Sequence, residues 1–367
     1  MAYLALYRKY RPKTFDEVVD EEHITKTLKN QVKTGQISHA YLFCGSRGVG
    51  KTSCAKIFAK AINCLNNQNG SPCGECEACR ALSDPSNVDV LEIDAASNNR
   101  VDEIRELREK IGYTPVSCKY KVYIIDEVHM LTDSAFNALL KTLEEPPRHA
   151  VFILATTEPH KLPATILSRC MRFDFKLVDT EKLANLLCDV FQKEGMTIEK
   201  EAARAIAVKA EGGVRDSLSI AECVAAYSDE VITLEKTLEV LGVNDKETLF
   251  ELADAILEKD VGKAFGVVNA VYSAGKNISA FTKDVAGHFR DLIVAKSCEN
   301  SNSILNLPNE LHEKMVGQAE KFKMDDLFFN LKVFSGILAE LKYAISPRVL
   351  VETAIVESVS GEIVKKN

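Results

Sequence analysis

The chain has 367 residues, 46% hydrophobic and 27% charged, with a formal net charge of −7. That length exceeds what one hydrophobic core usually supports, so two or three domains are expected, and no apolar run reaches the roughly 18 residues of a membrane span. The net negative charge excludes a blanket cationic surface for nucleic acid, so any contact with DNA must be local.

The opening "MAYLALYRKYRPKTFDEVV" lacks the unbroken apolar core of a secretory signal because Arg8, Lys9 and Arg11 interrupt it, and a cytoplasmic location is expected. From Ala40, "AYLFC" predicts a strand, followed by a glycine-rich loop and by "KTSCAKIFAKAI", where Ile57, Phe58, Ala61 and Ile62 recur at helical spacing. Further strands are predicted from "VDVLEID" (Val88 to Asp94), "KVYIID" (Lys121 to Asp126) and "AVFILAT" (Ala150 to Thr156). Between them lie the amphipathic stretches "RVDEIRELREKI" and "DSAFNALLKTLEE", the second stopped by Pro146 and Pro147. Continuous apolar strands alternating with helices imply a parallel sheet covered on both faces. After about Val178 the strand signals stop, and three short helices are predicted, split by Gly195 and by Gly212 and Gly213. From about Val243 to the end the pattern is again helical, without an internal repeat. The expected division is therefore 1–178, 179–242 and 243–367.

Gly45, Ser46, Arg47, Gly48, Val49, Gly50, Lys51 and Thr52 match G-x-x-x-x-G-K-[ST], with a strand before the match and a helix after it. Such a loop turns backbone N–H groups toward phosphates, while Lys51 brings charge to the β/γ oxygens and Thr52 a hydroxyl to Mg²⁺. A chance glycine turn is the alternative. "VYIIDEVH" supplies the second half of the expected site: Asp126 for Mg²⁺ and Glu127 to orient or deprotonate the attacking water. Acidic strand ends are common as solvated turns, but paired with this loop they indicate hydrolysis of a nucleoside triphosphate, expected to be ATP.

Seven of the eleven cysteines are scattered as suits small buried hydrophobes, and the other four, Cys64, Cys73, Cys76 and Cys79, are spaced C-x8-C-x2-C-x2-C. Four thiolates close a tetrahedron with no open position, which suits a structural Zn²⁺. An iron–sulfur cluster and four unliganded thiols are the rivals. The Asn-, Gly- and Ser-rich segment between the first two ligands cannot bury enough apolar surface to fold unaided, so a metal crosslink would tie down an insertion at 64–79.

The series "YRKYRPKTFDEVV", "GSRGVGKT", the cysteine cluster, "IIDEVHML", "FNALLKTLEEPP", "ATTEPHKLPATILSRC" and "GGVRDSLS" resembles, in order and spacing, the AAA+ ATPases and more narrowly the gamma/tau family of bacterial replicative clamp-loader subunits. The resemblance implies an α/β P-loop AAA+ ATPase domain with a parallel sheet at 1–178, a small helical lid domain at 179–242 and an all-α collar domain for association at 243–367. It implies that Arg169 acts as an arginine finger in the ATP site of a neighbouring subunit, and that Arg215 is the lid arginine facing the chain's own nucleotide. Thr156 or Thr157 would sense the γ-phosphate, Arg11 and Pro12 would flank the adenine, and Ser53 would be among the ATP-binding residues. A helix beginning at Ser97 to Arg100 would set Asn98, Asn99 and Arg100 against DNA phosphates, the ordinary alternative being a polar helix cap. The implied cofactors are ATP, Mg²⁺ and structural Zn²⁺. The implied partners are other clamp-loader subunits in a hetero-pentameric ring, a sliding clamp and primer–template DNA, with no membrane. The implied activity is an ATP-driven motor of DNA replication, part of the DNA polymerase III assembly, that opens and loads the clamp. A helicase is the alternative because "DEVH" matches a DExH box, but such an enzyme needs a second α/β lobe that nothing after Val178 predicts. A non-hydrolysing structural subunit is disfavoured by the intact loop together with Asp126 and Glu127.

Overall fold

Strands without a polar side need cover on both faces, and the three central strands have it. The structure is a computed structural model that describes residues 4–67, 69–84, 87–97, 111–227, 231–241, 245–305, 307 and 309–361. It divides into two compact units, 1–241 and 242–367. In the first, β1 (Ala40–Cys44), β3 (Lys121–Asp126) and β4 (Ala150–Thr156) are buried almost throughout, while β2 (Val90–Asp94) and β5 (Met171–Asp174) are partly exposed edges. The sheet is wholly parallel in the order β2-β3-β4-β1-β5.

Side chains alternate across β1: Tyr41 and Phe43 enter one core layer with Ile24, Leu28, Ile57 and Phe58, whereas Ala40, Leu42 and Cys44 enter the other with Phe136, Leu139 and Phe152. Helices α2 (Glu22–Thr34) and α3 (Lys51–Asn63) supply the first layer and α5 (Asp133–Glu144) the second; the short α1 (Leu6–Lys9) and α4 (Glu77–Ala81) lie outside both. Tyr41 meets the Phe58 ring edge-on at 4.8 Å. Strand β5 was not expected. Only Phe173 of its four residues is buried, so it carries no apolar run to read. The amphipathic stretch over 100–111 lies almost wholly outside the described residues.

The short α6 (Ala164–Leu167) leads into β5, and a helical layer follows it. There α7 (Thr180–Lys193), α8 (Lys200–Lys209), α9 (Val214–Tyr227) and α10 (Leu234–Val240) enclose Leu183, Leu187, Phe191, Ile206 and Leu218. Asp179 caps α7 by accepting from the Glu181 and Lys182 N–H groups. The expectation that strands end at Val178 needs correction: β6 (Thr197–Ile198) and β7 (Val231–Ile232) form a parallel pair among these helices. Two residues are too few for a periodicity to show.

The second unit comprises α11 (Asp245–Leu257), α12 (Val261–Ser273), α13 (Ile278–Ser297), α14 (Ser301–Leu305), α15 (Asn309–Lys321), α16 (Met324–Leu341) and α17 (Pro347–Ser360). Phe289 stacks on Phe334 at 5.8 Å and meets Phe322 edge-on at 6.0 Å. His288 is buried beside them and paired with Gln318 at 2.8 Å, whose amide donates to the Phe250 carbonyl and to Asp254. Burial pulls the His288 pKa down. Among the described residues no helix is long and apolar enough to cross a membrane.

Two carboxylates join the sheet to the first unit's helical layer. The Glu21 carboxylate accepts from the Lys176 N–H at 2.7 Å, and Asp20 accepts from the Asp179 N–H at 3.1 Å and pairs with Lys182. Asp20 adopts φ +61°, the left-handed conformation that lets both side chains turn toward the same connection. Glu21 is fully buried and its second oxygen has no hydrogen-bond partner, and this burial pushes its pKa up to about 7. A carboxyl whose pKa is raised on folding binds more protons folded than unfolded between about 4.5 and 7, so its contribution to stability falls as pH rises through that window. Glu21→Gln keeps an acceptor for Lys176 and removes the charge. Urea unfolding is expected to show the variant more stable than wild type at pH 8 and equal to it at pH 4.5, with wild type losing stability between those values and the variant losing less.

Candidate functional site

Three loops meet at the carboxyl edge of the sheet because β1 lies beside β4, with Cys44 opposite Thr156, and β4 lies beside β3. The loop after β1 turns through Gly45 (φ +144°), Gly48 (φ +81°) and Gly50 (φ +103°), the last capping α3. A Cβ on Gly45 would lie 2.5 Å from the Phe175 carbonyl oxygen, so this position admits no side chain. Lys51 is buried, its ammonium donating to the Gly45 and Ser46 carbonyls at 2.7 Å each. Burial lowers its pKa, opposed by the charges of Glu127 and Asp126.

The Thr52 hydroxyl donates to Asp126 Oδ2 at 2.7 Å. Glu127 has φ +47°, sparsely populated for a residue with a side chain, and its own N–H donates to Asp126 Oδ1 at 3.0 Å. The Thr157 hydroxyl donates to Glu127 Oε2 at 3.1 Å. Thr52, Asp126 and Glu127, but not Thr157, line a cavity of about 890 Å³ together with Arg11, Pro12, Arg47 through Ser53 and Arg215. Arg11 Nε donates to the Ser53 hydroxyl at 3.0 Å, and the Arg215 N–H donates to the Gly48 carbonyl at 3.3 Å, which ties the start of α9 to the loop.

Other expected residues lie apart. Gly45 and Ser46 belong to the loop but do not line the cavity, and their carbonyls accept from Lys51. Thr156 is fully buried and its hydroxyl meets His129 Nδ1 at 3.0 Å. Arg169 is outside its own chain's cavity, half-exposed, with Nη1 donating to the Thr165 carbonyl and Nη2 to Glu144 Oε1, both at 2.8 Å. Asn98, Asn99 and Arg100 lie outside the described residues.

Residues not anticipated complete the cavity. Tyr7, Arg8 and Tyr10 line it, and the Arg215 guanidinium lies 5.1 Å over the Tyr7 ring. Tyr10 bonds to Glu194 at the end of α7, and burial and then that bond push its pKa up to about 12. The signal was the alternation of aromatic and basic residues in "YRKYR", which ends at Arg11. His129 and Glu144 were also missed, although both lie within motifs already singled out.

The four clustered cysteines converge. Their sulfurs all lie within 4.8 Å of one another, with Cys64 to Cys73 at 3.5 Å, Cys64 to Cys76 at 3.9 Å and Cys73 to Cys79 at 4.0 Å. A tetrahedron of thiolates about 2.3 Å from Zn²⁺ has edges of about 3.8 Å, so the donor set fits that ion after side-chain shifts of no more than about 1 Å. Burial pushes the Cys79 thiol up; at Cys76 burial acts the same way but N–H groups of Cys79 and Leu65 outweigh it and bring the thiol down to about 6. Thr52 with Asp126 likewise forms an oxygen pair suited to Mg²⁺.

Comparison with known proteins settles the family. Residues 20–179 match the family "DNA polymerase III, delta subunit", residues 182–230 the "DNA polymerase III clamp loader subunit, ATPase lid domain" and residues 232–363 "DNA polymerase III subunits gamma and tau domain III". The DNA polymerase III subunit gamma of Buchnera aphidicola is 34% identical over 365 residues, covering 98% of this chain and 100% of that protein. The chain belongs to the DNA polymerase III gamma/tau family. The Bacillus subtilis DNA polymerase III subunit tau is 43% identical over 97% of this chain, and the Mycobacterium tuberculosis gamma/tau subunit 40% identical over 95%, but the chain spans only 63% and 61% of their lengths. A solved structure of a Thermotoga maritima RuvB mutant superposes with a TM-score of 0.50 at 21% identity over 73% of this chain and 86% of that one, a likeness of fold alone. The fold class is thus an AAA+ α/β sheet with a lid and an all-helical C-terminal region. The described residues after Val178 hold no second sheet lobe beyond the β6–β7 pair, so the helicase reading is not supported.

The clash at Gly45 yields a stability test. Gly45→Ala must push the Phe175 backbone and is expected to cost roughly 2–3 kcal/mol, against about 1 kcal/mol for Gly35→Ala, whose Cβ meets nothing within 4 Å. Thermal melting of the two variants checks the order.

Proposed function

We propose that this chain is an ATP-hydrolysing motor subunit of a bacterial clamp loader that opens a sliding clamp and places it on primer–template DNA. The observation that carries the reading is the junction of a phosphate loop with Thr52, Asp126 and Glu127 in a single cavity, in a member of the gamma/tau family.

On this reading the N–H groups at the start of α3 and the Lys51 ammonium bind the β- and γ-phosphates, for which Lys51 leaves the Gly45 and Ser46 carbonyls. Thr52 and Asp126 hold Mg²⁺, which neutralises phosphate charge when bound. Glu127 takes the proton of the attacking water. Thr157 is the better γ-phosphate sensor, because its hydroxyl already meets Glu127 whereas Thr156 is turned into the interior. Arg11 and Pro12 flank the base, and Arg215, in its cavity, reads the nucleotide in cis. Arg169 lies outside that cavity on the surface, where a planar cation suits a neighbouring subunit's site. Cys64, Cys73, Cys76 and Cys79 hold structural Zn²⁺ and take no part in hydrolysis.

The same reading assigns 1–178 to the ATPase domain with its insertion at 64–79, 179–242 to the lid and 243–367 to the collar. The exposed apolar side chains of Tyr343, Ile345 and Val349 support an association surface on the last. Partners are the other subunits of a hetero-pentameric ring, the clamp and DNA, the DNA touched through Asn98, Asn99 and Arg100 in the cytoplasm.

ATP turnover by the chain assembled with partner clamp-loader subunits, with and without clamp and primed DNA, tests this. Wild type is expected to be stimulated by clamp plus primed DNA; Glu127→Gln should lose turnover roughly a hundredfold or more while still binding ATP, and Arg169→Ala should lose the stimulated rate roughly a thousandfold. Turnover that answers to single-stranded DNA alone and ignores Arg169 would overturn the proposal. For the cysteines, metal analysis is expected to give one zinc per chain, lost with the local fold in Cys73→Ser. Iron, or no metal after preparation without chelator, would refute the zinc site.

A further inference from the structure

His129 stands two residues beyond Glu127, its side chain only 6% accessible, between two carboxylates. Nε2 lies 3.1 Å from Glu158 Oε2, while Nδ1 lies 3.0 Å from the Thr156 hydroxyl and 3.5 Å from Glu127 Oε2. The Glu158 N–H donates to the same Thr156 hydroxyl at 3.0 Å. Only one assignment of protons satisfies every group of the neutral ring. A carboxylate only accepts, so Nε2 carries the hydrogen and donates to Glu158; Nδ1 then offers a lone pair and accepts from Thr156, whose oxygen accepts from the Glu158 N–H. The loop closes on itself through β4 and the turn after β3.

One oxygen is left outside this loop, that of Glu127. In this tautomer Nδ1 turns a lone pair toward Glu127 Oε2 and offers it no hydrogen, so Thr157 remains the hydroxyl donor to that carboxylate. We infer that His129 is a positioning residue for ATP hydrolysis: held by Glu158 and Thr156, it pins the turn after β3 to the end of β4 and thereby fixes the backbone from which the Glu127 carboxylate faces the cavity. The other charged groups around this assembly are Lys161, 2.9 Å from Glu158 Oε2, His160, 3.9 Å from Glu158 Oε1, and Asp126 and Lys51 beside Glu127. A buried histidine with satisfied partners would look the same if it served stability alone, so the test turns on kinetics and coupling.

The inference rests on Glu127 being the group that activates water. ATP turnover, ATP affinity and melting temperature would be measured for the assembled complex carrying wild type, His129→Ala, Glu158→Ala, the double variant, Glu158→Gln and Glu127→Gln. His129→Ala is expected to lower kcat at least tenfold with KM for ATP changed less than twofold. Glu158→Ala, at a half-exposed site where folding is not at risk, should lower kcat in the same direction. The double variant should be no slower than His129→Ala, because the two residues act as one unit. Glu158→Gln, which keeps an acceptor for Nε2, should restore most of the rate. Effects of His129→Ala and Glu158→Ala that multiply, a KM rising as much as kcat falls, or a His129→Ala rate equal to wild type would each overturn the inference. Normal turnover in Glu127→Gln would instead remove the reading of Glu127 beneath it, so the two failures are distinguishable.

Discussion

The hydrogen bond between the Thr52 hydroxyl and the Asp126 carboxylate joins the first turn of α3 to the end of β3, segments 74 residues apart in sequence. It forms only because β1 is inserted between β4 and β5, so that the loop leaving β1 crosses the edge of the sheet above β4 and reaches β3. A different strand order would leave the same residues intact and scatter their chemistry. Burial of Lys51 under the loop follows from this convergence, as does the confinement of Glu127 in a backbone conformation it would not otherwise favour.

The sheet and helices around this point are held by ordinary apolar burial, and the helical layer beside the cavity, whose core takes in Leu6 and Val178, is further tied to its surroundings by polar contacts of a few short segments. Asp20 and Glu21 fasten the connection after β5, the Arg215 N–H meets the loop at Gly48, and Tyr7 and Tyr10 of the N-terminal arm reach Arg215 and Glu194. Polar contacts can be exchanged for contacts with a ligand at small net cost, whereas a packed core cannot.

The phosphate loop, the acidic pair and the cysteine cluster were legible in the sequence because each is a short motif whose residue types leave few chemical alternatives. The central strands were legible because burial on both faces writes an unbroken apolar run. What escaped had no such record: β5 has one buried residue, β6 and β7 have two residues each, and the roles of Tyr7, His129 and Glu144 depend on side chains meeting across the fold. The choice between Thr156 and Thr157 was of the same sort. Thr156 is the last residue of β4 and Thr157 the first beyond it, so which of the two meets Glu127 is set by how the chain leaves the sheet.

Helix α3 begins at the phosphate loop and ends at Asn63, so that the next residue, Cys64, belongs to the sulfur cluster. Its 13 residues make a rod about 20 Å long, stiffened by burial on most sides. A rod clamped at one end is a lever: a tilt of about three degrees at Lys51 displaces the far end by about an ångström. The cysteine cluster thus stands at the far end of the same helix whose first turn carries Lys51 and Thr52, and its position is as fixed as that helix is.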